Sequence, residues 1–237
     1  MSITWLSKDE MIQRIPSILI PSYSVLDVGS GINPQSYFIP SVHIIVEPFL
    51  PYIDNIRDVR NNDPRLVYLN GTWDKVLPFL PNKSVDSVFA IDVIEHFEKE
   101  DGLKFIKEAE RVARKQIAVF TPLGWYPQSY QAEKTDRWGM QGGHWQSHRS
   151  GWEPADFGDN WECICCKEYH FIDQYDHPLE NPFGAFWALK TFGDTSSEYE
   201  PLISLNMFGT KDILYYIGRR ITRKLRKSIL RNHDTTH

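Results

Sequence analysis

Short apolar runs recur along the chain, each cut off by glycine, proline or a polar pair. They sit at 43–47 (HIIVE), 65–69 (RLVYL), 86–92 (DSVFAID), 116–121 (QIAVFT), 161–171 (WECICCKEYHF) and 184–190 (GAFWALK), and one more, SVLDV, begins at Ser24 and collapses into glycines. Their length and β-branched content predict buried strands. Two other stretches have helical spacing. Met11, Ile12, Ile15, Ile18 and Leu19 follow a capping box from Ser7 to Glu10 and predict a helix over about 8–19, ended by Pro21. Leu103, Phe105, Ile106, Ala109, Val112 and Ala113 repeat the pattern in DGLKFIKEAERVARK. Strands alternating with helices predict an α/β architecture: a doubly wound, mostly parallel, seven-stranded sheet with helices on both faces and the last strands antiparallel.

With 237 residues, there is room for one sizeable domain and an appendage. Hydrophobic content of 41% and charged content of 24% argue against disorder. Charges at Lys8, Asp9 and Glu10 leave no apolar leader, and no stretch offers 18 consecutive apolar residues, so a cytoplasmic protein is expected. Cys163, Cys165 and Cys166 are odd in number and crowded into one strand-like run, which predicts buried free thiols in place of disulfides or zinc ligands. Charge is uneven. Residues 211–237 hold eight Lys and Arg against two acids, and the rest of the chain has eleven more acids than bases. The acidic body disfavours nucleic acid, whereas the basic tail invites an anionic surface.

The sharpest chemical signal lies where SVLDV ends. Gly29 and Gly31 allow a tight turn and a close ligand approach that a Cβ would block, with Ser30 between them. Asp27 precedes them, and an acid there suits a ligand carrying an amino group and a sulfonium better than a diphosphate. Glu47 closes the next run, where it can accept both hydroxyls of a ribose. Thr72 and Trp73 offer a hydroxyl and an indole to an adenine ring, and Asp92 ends the following run at the same sheet edge. Taken singly, these are also a tight turn, a solvated strand end and a capping aromatic; their joint spacing points to an adenosine-containing ligand. A nicotinamide dehydrogenase competes, but the third glycine and the long first helix of a dinucleotide unit are missing, with about twelve residues between Gly31 and the next run.

LDVGSG, VEP and the stretch DSVFAIDVIEHFEKEDGLKFIKEAERVARKQIAVFTPLGW resemble the class I S-adenosylmethionine-dependent methyltransferase superfamily, in its broad type 11-like small-molecule group. The resemblance runs from residue 24 to about 125, and more loosely to 190. It implies a Rossmann-like fold and S-adenosylmethionine as cofactor, with its methionine part at Asp27, Gly29 and Gly31, its ribose at Glu47 and its adenine near Thr72 and Trp73. Asn33 stands where the family has a third glycine, and Asn tolerates a left-handed backbone. A second pattern, Asp92-x-x-Glu95-His96 with a later His148, is similar to the metal site of small-RNA 3′-terminal 2′-O-methyltransferases. That similarity implies a divalent metal held by Asp92, Glu95, His96 and His148. Asp92 replaces a glutamate there, and the acidic body fits RNA poorly.

Residues 122–152 form a long loop with four of the chain's eight tryptophans, expected to overhang the methyl donor as an acceptor lid. Trp125, Tyr126, Trp138 and Trp145 are placed to stack on a flat or sugar-like acceptor, with Gln128, Gln141 and His144 as hydrogen-bonding groups; a lid that merely packs on the core is the plain alternative. His96 and His148 are the candidates for general base, each balanced by a purely structural role. These features predict O-methylation of a small-molecule or glycan acceptor. A non-catalytic S-adenosylmethionine-binding scaffold and a metal-assisted 2′-O-methyltransferase are the alternatives. The domain plan is a catalytic domain over 1–190, a polar connection over 191–210 and a basic amphipathic helix and tail over 211–237. Its apolar stripe either lies on the inner face of a membrane through 211–231 or packs on protein.

Overall fold

The computed structural model describes residues 1–130 and 135–193. In chain order the elements are β1 (Ser2–Trp5), α1 (Lys8–Ile18), β2 (Ser24–Val28), β3 (Val42–Glu47), α2 (Leu50–Val59), β4 (Leu66–Asn70), α3 (Trp73–Val76), β5 (Val85–Ile91), α4 (Lys99–Val112), β6 (Ala113–Pro122), α5 (Gly143–Gln146), β7 (Glu162–Ile172) and β8 (Pro178–Thr191). The strands form one sheet in the order β1-β7-β8-β6-β5-β2-β3-β4. β2, β3, β4, β5 and β6 run parallel, and β8 is inserted antiparallel between β6 and β7. All seven expected strands are present. The eighth is β1, whose SITW precedes the capping box and pairs parallel to β7.

Helix placement follows side-chain burial. In α1 the Ser7–Glu10 capping box forms, with the Ser7 amide donating to Glu10 Oε2 at 2.8 Å, and Met11, Ile15 and Leu19 carry the buried face. The helix runs through Pro16, five residues before the expected stop. Pro16 and Ile12 both face solvent, so water can serve the Ile12 carbonyl that proline leaves without a donor. α1 covers one sheet face over Phe89, Ala118, Phe120 and Trp187; α4 covers the other with Phe105, Ile106, Ala109 and Val112. The sheet therefore has helices on both faces, as patterning implied. α2 escaped the sequence reading because Pro51 and two polar pairs break its pattern, yet Tyr52, Ile53 and Ile56 are buried. Between β2 and β3 no helix forms at all; the link is turn and irregular backbone. The three cysteines lie buried and free in β7. The expected connection over 194–210 and the basic helix over 211–237 lie outside the described residues, and among the described residues no helix is long and apolar enough to cross a membrane.

Candidate active site

Because β2 to β6 are parallel, their carboxyl ends deliver five loops to one edge, the position at which open α/β sheets bind ligands. The loops are laced together. Gly29 N donates to Val46 O at 2.7 Å, Gly71 N to Glu47 O at 3.2 Å and Asp92 N to Phe120 O at 2.9 Å, while Asn70 Nδ2 donates to the carbonyls of Glu47 and Pro48 at 2.9 Å each. Gly29 and Gly31 adopt φ of +64° and +56°, the left-handed turn their lack of Cβ permits. Their open sides are filled by protein. A Cβ at 29 would press on Val93, and one at 31 would collide with the Trp138 indole.

The two acids assigned to the cofactor are buried and already bonded. Asp27 Oδ2 accepts from the Gln35 amide at 2.7 Å and bonds His43 Nε2 at 3.1 Å, so the acid fixes the loop that follows it. His43, unremarked in the sequence, is found only through the β2–β3 register. Glu47 Oε2 accepts from the Gly31 amide at 3.0 Å and Oε1 from the Phe49 amide at 2.9 Å; burial, helped by the nearby Asp27 carboxylate, pushes its pKa up to about 7. Ser30 Oγ donates to the Gly31 carbonyl at 3.4 Å. Thr72 opens α3 as its N-cap residue. Trp73 packs its ring beside Phe97 and Phe105, at centroid distances of 6.0 and 5.7 Å, as an accessory to the core.

Asp92 has φ +53°, a conformation that costs a non-glycine residue about 1 kcal/mol or more. It keeps solvent contact, but crowding by protein raises its carboxyl above the usual range. Glu95 is raised further, by lost hydration first and then by the Asp92 carboxylate. Glu95 Oε2 accepts from Thr121 Oγ1 at 2.9 Å; its Oε1 is buried with no hydrogen-bond partner among the described residues. His96 and His148 lie 5.0 Å apart, ring centre to ring centre. Nδ1 of His96 bonds the Ser147 carbonyl at 3.1 Å and Nδ1 of His148 the Tyr126 carbonyl at 2.7 Å. A carbonyl accepts only, so each Nδ1 carries the proton and the His148 Nε2 presents a lone pair, while the Asp92 backbone is a second neighbour of the His96 ring. Burial holds both imidazoles neutral, and with His148 beside it His96 is pushed down to about 3.

What brings His148 across 52 positions to His96 is the segment behind it. The amides of Arg149 and Ser150 donate to Glu95 O at 2.7 and 3.1 Å, and Ser150 Oγ to Phe97 O at 2.8 Å. Trp152 is fully buried and donates from Nε1 to Ile94 O at 3.1 Å; its ring fills the side of Gly102 in α4 and lies 3.9 Å beneath Lys99 Nζ. Of the expected metal set, Glu95, His96 and His148 bring one ligand atom each within 4.8 Å of one another, and Asp92 stands outside that group. Of the lid aromatics, Trp125 and Trp145 stay exposed, Tyr126 is buried against His148, His170 and Phe183, and Trp138 turns to Gly31.

Several solved structures are similar to this fold. A 2.1 Å crystal structure of the YcgJ protein from Bacillus subtilis is 12% identical, covers 78% of this chain and 100% of that one, and superposes with a TM-score of 0.52. A SAM-dependent methyltransferase from Archaeoglobus fulgidus matches at 15% identity, 77% and 92% coverage and a TM-score of 0.47. A chain from Anabaena variabilis described as a methyltransferase from an antibiotic biosynthesis pathway is 22% identical over 53% of this chain, with a TM-score of 0.36. The present chain spans about half, 50%, of that protein's length. No curated protein sequence matches. The family model described as a methyltransferase domain matches residues 26–120, the span from β2 to the end of β6 that carries the glycine loop, Glu47, Asp92 and His96. That match and this fold make residues 26–120 similar to a methyltransferase domain built on a Rossmann-like sheet.

Proposed function

We propose that the chain transfers a methyl group from S-adenosylmethionine to a hydroxyl of a small or carbohydrate-like acceptor. The observation that carries this reading is the pair His96 and His148, each with Nδ1 on a main-chain carbonyl, beside the loops that the methyltransferase-domain match covers. Asp27, Gly29, Ser30, Gly31, Glu47, Thr72 and Asp92 hold the cofactor, with Trp73 supporting their loops from the core side. When bound, S-adenosylmethionine supplies an electrophilic methyl group on a sulfonium. The chain's own residues hold the acceptor, exclude water and take the hydroxyl proton. His148 Nε2 is the better base, because His96 at about 3 binds a proton too weakly near neutral pH. Exposed Trp125 and Trp145 are surfaces on which a sugar or flat ring can stack. The direction toward a glycan is an analogy: segments similar to HRSGW, here His148 to Trp152, occur in bacterial methyltransferases of surface-polysaccharide pathways.

A second reading has one specific observation in its favour. Glu95 Oε1 is buried without a partner next to two neutral imidazoles, the donor set a divalent cation takes, with carbonyls orienting the rings from behind. Such a cation would lower the pKa of a coordinated hydroxyl. Incubating the protein with methyl-labelled cofactor and a metabolite or glycan extract, resolved by mass, tests the main reading. Label on a hydroxyl-bearing small molecule is expected. Cofactor binding without transfer to any fraction, across metals and pH, would favour a binding or scaffold protein. Loss of transfer in chelator, restored by added Mn²⁺ or Zn²⁺, favours the cation; transfer that survives chelator leaves the histidine base alone.

A further inference from the structure

Trp138 comes from the acceptor loop, yet its indole lies against Gly31 of the cofactor loop, in the space a Cβ on residue 31 would need. The same ring meets Tyr52 of α2 edge-on, with centroids 4.9 Å apart. One buried carboxylate fixes this position. Asp136 Oδ1 accepts from the Trp138 and Met140 amides at 2.9 Å each; Oδ2 accepts from the Tyr52 hydroxyl at 2.5 Å and the Gly142 amide at 3.0 Å. Main-chain bonds from Asp136 N to Met140 O and from Gly139 N to Asp136 O close the turn at 2.8 and 2.9 Å. Gly142 has no room for a Cβ beneath Tyr52 and Asp136. A carboxylate with four donors, 4% exposed, holds its loop far more firmly than solvent-facing contacts would. Glu47, which accepts from the Gly31 amide, lies three residues before α2, so Gly31, Glu47, Tyr52 and Trp138 form one continuous wall.

We propose that Trp138 is a cofactor-binding residue: its indole, locked by Asp136 and Tyr52, walls the S-adenosylmethionine site beside Gly31 and Glu47. This rests on the cofactor reading above. It reassigns Trp138 from the acceptor stack to the methyl donor, so the loop that covers the acceptor also completes the cofactor site. An indole there excludes water from the cofactor and attracts the positive sulfonium, which the product S-adenosylhomocysteine lacks.

Titration calorimetry with S-adenosylhomocysteine and S-adenosylmethionine tests it on the full chain. Trp138→Ala is expected to weaken S-adenosylhomocysteine about tenfold and S-adenosylmethionine by more, Trp138→Phe to recover most of the loss, and Tyr52→Phe, which keeps the ring but drops the bond to Asp136, to show a smaller loss in the same direction. Trp138 is only partly buried, and thermal melts of each variant separate a folding defect from a binding defect. Parental or tighter affinity in a folded Trp138→Ala protein overturns the proposal, since the ring would then be a bystander or an occupant of the cofactor's place. A change confined to acceptor KM overturns it as well. If the parental protein binds neither ligand, the cofactor reading itself fails and this inference falls with it.

Discussion

The cofactor side and the acceptor side of the crevice are built by opposite means. On the side proposed for the cofactor, each candidate group stands at the end of a strand whose partners are fixed by parallel pairing, so Gly29, Glu47 and Asp92 arrive together once the sheet forms. On the acceptor side nothing regular does the positioning. His148 reaches His96 only because Glu95 O, Ser150 and Trp152 tie one irregular segment to another. A site framed by strand ends is therefore sensitive to local backbone geometry, and one framed by irregular segments to distant packing.

Variants can break or sharpen that contrast. The largest effect is expected from Gly29→Val, which combines a left-handed φ with collision against Val93. Calorimetry should detect no S-adenosylhomocysteine binding, and the melting temperature should fall too; parental affinity would mean that the glycine loop is dispensable. Trp152→Ala comes next, at about 3–5 kcal/mol of stability for a fully buried tryptophan. If denaturant melts show it, and turnover falls further than the folded fraction explains, the packing behind His148 is what aligns it. His96→Ala and His148→Ala should each cut turnover by about 10² while cofactor affinity stays nearly intact. Equal losses in affinity and turnover would dissolve the division into two sides. The smallest effect belongs to Glu47→Ala, a weakening of the cofactor by about 1–3 kcal/mol as hydrogen bonds to a charged acceptor are lost. An effect on acceptor binding alone would move Glu47 to the other half.

The strand ends that carry Asp27, Glu47 and Asp92 were legible in the sequence, because there an apolar run and its terminal polar residue are adjacent in the chain. Of the last strands expected antiparallel only β8 is, since β7 opposes β8 and so runs with β2 to β6. The capping box of α1 was as readable as the strand ends. Gln35 and His43 were not, because their bonds to Asp27 depend on a loop conformation and a register that periodicity does not encode. α2 was hidden by Pro51 at a position where a helix start accommodates proline. The packing of Trp73 on Phe105 and of Trp138 on Gly31 was not legible either, since an aromatic side chain in sequence carries no sign of which wall it meets.

The short strand at the beginning of the chain has a consequence for the order of assembly. Ser2 to Trp5 pair with Glu162 to Cys165, so β1 has no partner until the chain has been made as far as β7. Contacts so far apart in the chain form slowly, and until β7 arrives β1 offers unpaired edges to other molecules. Vectorial synthesis thus leaves β1 waiting, and a chain interrupted anywhere before residue 162 keeps that exposed edge for good.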